Sequence, residues 1–392
     1  MRIAFIDHLP LGTGIPRLAT SLAKALVETS ELIELTYFTH WVTYSTNKEL
    51  YETSNPRFKV QVLKTSYPQG KISVYSKKVL RIAGLKVQNK MKAELEAIKG
   101  FDVVYFTAAH MSAFYKVEGK KFATFHDFNW KYSFGTPNFS PKDIQIFNGA
   151  MPLWFEHTVP VVSSHFIKSE IEKFYPAHKY PVEVIYLPNI GAEVKGAVKQ
   201  VFDFPYILYP ANLFPHKNHQ MLFQGLRLLK QRGKLNNIKL VLTGGGTDHF
   251  KHARLSFAGI EESNAADFDV LGLGYVSNTM MDSLIKNALM NISASVYEAG
   301  SGPAIDAWIN KVPFIMSDIP SHRDQLKNFD LPCVLFNPYS AEDIADKIEY
   351  ALAHLEQLKE MSLKGHEALK KNNWQAVAQK YLEVFTKYAN EN

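Results

Sequence analysis

The chain has 392 residues, 46% of them hydrophobic and 13% aromatic, which exceeds what one core absorbs and points to two domains. Its 44 Lys and Arg against 38 Asp and Glu leave a formal charge of +6, and no recognised RNA- or DNA-binding motif accompanies that excess, so nucleic acid is not expected as a partner. The one cysteine, Cys333, excludes an intrachain disulfide and offers no zinc cluster.

Met1-Arg-Ile-Ala-Phe-Ile-Asp7 turns polar too soon for a signal peptide. No run of about 18 apolar residues follows it, so no membrane span is expected and a cytoplasmic protein is. Arg2–Asp7 reads as a strand, followed by the loop Leu11-Gly-Thr-Gly-Ile-Pro16 and a helix through Leu18–Val27. Apolar runs at Leu32–Thr39, Phe58–Leu63, Val103–Thr107, Lys121–His126 and Pro160–Ser163 read as further strands. Ser164–Phe174 reads as a helix, and Val182–Leu187 as a strand ending in the turn Pro188-Asn-Ile-Gly191. This alternation predicts a parallel sheet with helices on both faces.

Residues 192–201 lack strong apolar patterning and read as a linker. Beyond them the pattern restarts, with strands at Tyr206–Tyr209, Lys239–Thr243, Val270–Leu273, Met290–Ser293, Phe314–Met316 and Cys333–Phe336. Helices are predicted at Gln220–Gln231, Asn278–Lys286, Pro303–Asn310 and Ala341–Leu358, with a last amphipathic one at Trp374–Tyr388. The expectation is an α/β chain of two Rossmann-like domains with parallel sheets, residues 1–191 and 202–373. Such domains facing one another enclose a cleft, and ligands bind at the carboxyl ends of the strands.

The stretch from Val296 to Trp308 carries the most chemistry. Ile292–Val296 reads as the end of a strand, and Pro303 suits a first helical turn because its missing N–H is not needed there. Backbone N–H groups around Gly300, Ser301 and Gly302 favour a phosphate at such a helix start, and glycine admits it closely. Glu298 then faces the group attached to the phosphate, and Asp306 reaches hydroxyls on the other side. A phosphate seat between two acidic hydroxyl-binders suggests a nucleotide sugar.

Asn212-Leu-Phe-Pro-His-Lys-Asn-His219 follows a strand and opens a helix. Lys217 there is a compact cation suited to a diphosphate, whose leaving-group charge it stabilises; its plain alternative is a surface lysine. His216 and His219 lack a third ligand nearby, so no metal site is expected. His126-Asp127 ends an apolar strand, where His126 can bond a substrate hydroxyl and Asp127 can orient it or act as a base; a loop contact is the alternative. Gly12 and Gly14 can admit a phosphate or sugar, but Arg17 replaces the last glycine of a dinucleotide fingerprint, although Glu34 lies about where its acidic ribose-binder would. Gly244, in Thr243-Gly-Gly-Gly246, marks either a ligand contact or a tight turn, and Tyr275 with Val276 can present a ring and backbone groups to a base. Asp267-Phe-Asp269 precedes a strand and reads as loop acid.

Taken in order, these features resemble the retaining glycosyltransferases of family 4, which have the GT-B fold. The resemblance runs through the first glycine loop, His126-Asp127, Val162-Ser-Ser164, Val184-Ile-Tyr-Leu-Pro188, Pro215-His-Lys-Asn218, Gly272-Leu-Gly-Tyr275, the Glu298 segment and Pro313–Asp318. It implies that Lys217 neutralises the nucleotide diphosphate, Glu298 binds the donor sugar, Asp306 binds ribose and His126 lies beside the reacting sugar. It also implies that the helix within residues 374–392 crosses back to the N-terminal domain. Asp306 stands where the family usually has Glu, and Asn212 where many members have an arginine.

The expected partners are a nucleotide-sugar donor, UDP-glucose before GDP-mannose, and a glycan or lipid-linked acceptor, with no resident cofactor or metal. Residues 53–93 hold ten Lys and Arg and no acid, interleaved with apolar residues. That composition suits either an anionic membrane surface or a solvated helix face. The rival readings are a dinucleotide-dependent oxidoreductase and a non-catalytic membrane-binding scaffold.

Overall fold

The computed structural model describes residues 1–8, 14–64, 93–109, 116–132, 141–188, 199–235, 237–251 and 270–389. Two wholly parallel sheets organise them. The first contains β1 (Arg2–Asp7), β2 (Glu34–Thr39), β3 (Phe58–Val62), β4 (Val103–Phe106), β5 (Lys120–Thr124), β6 (Val159–Val162) and β7 (Glu183–Val184), in the order β3-β2-β1-β4-β5-β6-β7. The second contains β8 (Tyr206–Pro210), β9 (Lys239–Thr243), β10 (Val270–Gly272), β11 (Met290–Ser293), β12 (Phe314–Ser317) and β13 (Val334–Phe336), in the order β10-β9-β8-β11-β12-β13. Every residue of β4, β6, β11 and β12 is buried, as expected for parallel strands covered on both faces. In each sheet the direction of winding reverses beside the first strand, between β1 and β4 and between β8 and β11. Those two places are where doubly wound sheets open a crevice.

The helices are α1 (Gly14–Thr29), α2 (Trp41–Thr46), α3 (Pro141–His157), α4 (His165–Phe174), α5 (His219–Gln231), α6 (Asn278–Asn287), α7 (Gly302–Ile309), α8 (Pro320–Phe329), α9 (Ala341–Ala353), α10 (Leu355–Lys371) and α11 (Trp374–Ala389). Side-chain caps fix several starts. Ser164 accepts from Ile167 N, Ser277 from Met280 N, Ser301 from Ala304 N and Ser340 from Asp343 N.

The terminal helix does cross back. Val377, Ala378, Tyr381, Phe385 and Tyr388 of α11 are buried in one cluster with Phe5, Tyr37, Tyr105 and Phe122 of the first sheet. The Phe385 ring lies 4.7 Å from that of Phe122, and Lys387 and Tyr388 both donate to Glu183 Oε1. Asn372 Nδ2 bonds Leu187 O at 3.0 Å, close to the point where the chain returns.

Several sequence expectations shift. The single helix expected at Ala341–Leu358 is two, broken at His354 (φ −129°, ψ 36°), whose Nδ1 bonds the carbonyl of Tyr350. Val182–Leu187 contributes only the short pair Glu183–Val184 to the sheet. Helices α3 and α8 were not anticipated; Pro152 interrupts the pattern of the first, while Pro320 marks the first turn of the second. Of the basic segment, residues 65–92 lie outside the described residues, and the part before them includes the edge strand β3. Gly12, the turn at Asn189–Gly191, residues 192–198 of the expected linker and Asp267–Asp269 also lie outside them.

Candidate active site

The loops after β8 and β11 bring Lys217 and Glu298 together. After β8, Pro215–Lys217 forms a single tight turn, closed by Asn218 in the left-handed region at φ 59°. Asn218 Nδ2 donates to the carbonyls of Ala294 and Pro338, which ties this turn to the loop after β11. Val296 N donates to His216 O at 2.8 Å, and Tyr209 O–H donates to Lys217 O at 2.6 Å. Lys217 Nζ then stands 2.5 Å from Glu298 Oε1, which Ser295 Oγ also reaches at 2.6 Å.

Burial pushes the Glu298 carboxyl upward, but the Lys217 ammonium and the bonds from Lys217 and Ser295 outweigh it and hold the group below its ordinary value. His216 is buried and lowered, first by loss of solvent and then by the Lys217 charge, so it stays neutral beside a cation. Its Nδ1 has no partner among the described residues.

The first domain supplies the facing wall. His126 bonds the Thr107 carbonyl through Nε2 at 2.8 Å, which puts the proton on Nε2, and burial lowers its pKa. Asp127 Oδ1 accepts from Asn129 N, and the Asp127 charge is felt by both His216 and Tyr297 across the cleft. Phe128 N donates to Tyr297 Oη at 2.9 Å. The residue after Asp127 is therefore bonded to the residue before Glu298.

The glycine turn before α7 differs from the expected open phosphate seat. Ser301 N donates to Gln325 Oε1 at 2.6 Å and the Ser301 hydroxyl caps the helix, so neither group is free. Space remains at Gly302, where an added Cβ meets nothing within 4 Å, and at Gly300, where only Gln325 comes near; Pro303 fills the first helical turn as expected. Burial pushes the Asp306 carboxyl up to about 6, with Arg17 drawing it down and Asp282 adding to the rise. Arg17 belongs to α1 of the other domain, one turn beyond Gly14, which opens that helix with nothing within 4 Å of an added Cβ.

Asn212 is committed to the backbone. Its Oδ1 accepts from Gly245 N at 2.6 Å, and Gly244, at φ 112°, presses on it so closely that a Cβ would fall 2.8 Å from Asn212 N. Only glycine fits that turn. Tyr275 is 82% exposed and its ring lies over Gly245, while Val276 is half-buried beside it. Glu34 pairs with Arg2 at the amino end of β2, the wrong end for a ribose-binder, and this removes the support for a dinucleotide fingerprint.

Sequence reasoning missed Ser295, Tyr297, Asp324, Gln325 and the role of Arg17. Only Arg17 carried a signal, as a charged residue in place of a glycine.

Two facing parallel domains with the terminal helix returned to the first define the GT-B architecture, and solved structures share it along the whole chain. Sucrose-phosphate synthase from Thermosynechococcus elongatus is 14% identical at a TM-score of 0.67, covering 99% of this chain and 98% of that one. HepE of Anabaena, solved with UDP-glucose, is 13% identical at 0.63, with 99% and 100% covered. WaaG, a glycosyltransferase involved in lipopolysaccharide biosynthesis, is 11% identical at 0.57, with 98% and 100% covered. No curated protein matches the sequence. Residues 196–368, which hold Lys217, Glu298 and Asp306, match the model of the family described as glycosyl transferases group 1. That match covers the second domain, and the likeness of the solved structures extends the same fold over the first.

Proposed function

We propose that the protein moves a hexose, with retention at the anomeric carbon, from a nucleotide diphosphate sugar to a glycan or lipid-linked acceptor in surface-polysaccharide synthesis. UDP-glucose is the favoured donor and GDP-mannose the second. The observation that carries this reading is the pairing of Lys217 with Glu298 at 2.5 Å where the second sheet's winding reverses. HepE holds UDP-glucose in its crystal structure, and WaaG serves lipopolysaccharide synthesis, which supports the choice of donor and product class.

In this reading a pyrophosphate oxygen competes with Glu298 for the Lys217 ammonium. Lys217 and the backbone N–H of Gly302 then stabilise the charge that develops as the sugar–phosphate bond breaks. Glu298 bonds hydroxyls of the hexose, and Asp306 those of the ribose. Tyr275, Val276 and the Gly244 turn stand near the base, and His126 and Asp127 bound the reacting face. The acceptor oxygen attacks the anomeric carbon on the side from which the diphosphate leaves. Its proton passes to the departing phosphate oxygen, so no protein nucleophile and no metal are required. Alignment of acceptor and donor in the cleft supplies much of the rate. The basic segment at residues 53–93 would hold the enzyme at the cytoplasmic face of an anionic membrane.

A thermal-shift screen of UDP, GDP, ADP and their sugars tests class and donor together, because a ligand that binds the native state raises its stability. UDP and UDP-glucose should give the largest shifts. A response to NADH with none to any nucleotide diphosphate would reject the reading. Activity should survive EDTA, and strict dependence on added magnesium or manganese would count against the mechanism.

A further inference from the structure

Tyr297 and Ala299, on either side of Glu298, are held from the other domain, and Ser301 is held from α8. On one side Tyr297 Oη receives Phe128 N. On the other, Ser164 Oγ of the first domain donates to Ala299 O at 3.2 Å. Ser301 is gripped through both backbone groups by Gln325, whose Oε1 takes Ser301 N at 2.6 Å and whose Nε2 gives to Ser301 O at 3.2 Å. The neighbouring residue, Asp324, reaches the opposite way. Its Oδ2 accepts Phe166 N at 3.1 Å and its Oδ1 accepts the Tyr186 hydroxyl at 2.9 Å.

Phe166 N lies in the first turn of α4, where it has no partner within the helix, so a carboxylate there is favoured by both that N–H and the helix dipole. Ser164, which caps the same helix, carries the second bond across. Two adjacent side chains of α8 therefore bolt the first domain to the glycine turn that follows Glu298. A shift of the domains along one another pulls directly on residues 297–301.

We propose that Asp324 and Ser164 are positioning residues for the transfer, forming an interdomain latch that sets the Glu298 carboxylate against the reacting sugar only when the two domains are in register. The latch acts through Glu298 and rests on that residue's place in the donor site. It does not touch the nucleotide itself, so its loss should slow turnover and leave nucleotide binding intact. A group that works only in the closed, reacting arrangement lowers kcat and kcat/KM together.

The test uses the full chain. Asp324→Asn replaces one acceptor oxygen by an amide that cannot receive a second N–H or O–H. Ser164→Asp keeps an oxygen to cap α4 but has no hydrogen for Ala299 O, and Ser164→Thr restores both roles. Release of UDP from UDP-glucose should fall about tenfold or more in Asp324→Asn and Ser164→Asp, in the range of a lost bond to a charged or well-placed group. The KM for UDP-glucose and the thermal shift given by UDP should stay within about twofold of wild type, and Ser164→Thr should behave as wild type. Amide hydrogen exchange over residues 297–301 should quicken about tenfold, with β8 and β9 unchanged.

Unchanged exchange in that segment overturns the latch whatever the donor is. Turnover, UDP binding and melting temperature falling in parallel also overturn it, because that pattern marks a damaged fold. Tyr186→Phe removes one of the two bonds to Asp324 without touching α8 and decides the matter if Asp324→Asn does not fold. Glu298→Gln separates the two ideas. Full turnover in that variant removes Glu298 from the site, whereas slow Glu298→Gln beside normal Asp324→Asn rejects the latch alone.

Discussion

Lys217 Nζ lies 2.5 Å from Glu298 Oε1, and both side chains are largely withdrawn from solvent, at 21% and 17% exposure. The pair does two jobs that a variant series can separate. Lys217→Ala should lower turnover about 10²-fold or more, as for a lost oxyanion donor. Undiminished turnover in that variant would remove Lys217 from the mechanism.

The same substitution leaves the Glu298 carboxylate without its cation. Lys217→Met and Glu298→Gln should therefore be more stable together than the sum of their single effects predicts, with a coupling of about 1–3 kcal/mol read from denaturant midpoints. Additive losses would show that the contact contributes no net stability. Because the folded Glu298 pKa is depressed, the contribution is present above the ordinary carboxylate range and is lost as pH falls through the folded value.

Asp306 behaves in the opposite direction. Its folded pKa is raised to about 6, chiefly by burial, so the ionised form that would accept ribose hydroxyls in the proposed binding mode is depleted below that pH. UDP affinity should weaken as pH falls from about 7.5 to 5.5, roughly in step with protonation of one group. Asp306→Asn should bind more weakly at neutral pH and lose that inflection. A variant retaining the full pH profile would transfer the effect to another group.

Asp7, at the end of β1, is 1% exposed, with Oδ2 bonded to Tyr37 at 3.2 Å. Burial raises its pKa to about 7, against the hydrogen bonds from Tyr37 and Thr107. A raised carboxyl favours the fold below its unfolded value, and that benefit is lost as pH rises through the folded one. The melting temperature should drop between about pH 4 and 7, and Asp7→Asn should flatten the drop. An equal drop in the variant would assign it elsewhere.

Gly365 of α10 faces Trp308 of α7 so closely that an added Cβ would fall 2.5 Å from Cγ of the indole. Overpacking of this kind costs about 1–3 kcal/mol, more than the helix propensity gained by alanine. Gly365→Ala should melt lower than wild type in calorimetry, and equal or greater stability would show that α7 yields easily.

Removal of the Phe385 ring tests the crossing helix. The ring is fully buried against Phe122 and Tyr105, so Phe385→Ala should cost about 3–5 kcal/mol. Proteolysis should then release α11 from the first domain before it cuts the second sheet. Resistance equal to wild type would mean that the helix docks by other contacts.

Local chemistry made much of the second domain readable. Tyr206–Tyr209, Lys239–Thr243 and Met290–Ser293 are short buried runs between helix signals, and each lies in a strand of the sheet. Lys217 stood out because a cation at a helix start is unfavourable unless an anion is near, and Glu298 because it precedes a glycine turn that opens a helix. Helix α8 was overlooked because its run Pro320-Ser-His-Arg-Asp-Gln has little apolar periodicity, although Pro320 signalled its start.

Amino-acid order alone determined the parallel α/β class, the two sheets and the strand ends at which chemistry collects, since periodicity and turn residues act over a few positions. Which charges face one another was decided only in three dimensions. The Lys217–Glu298 contact joins residues 81 positions apart, and the bond from Phe128 to Tyr297 spans 169. Arg17 acts on Asp306 from the other domain. Such pairings depend on how two separately folded sheets pack and on water being excluded between them, and no local pattern encodes either.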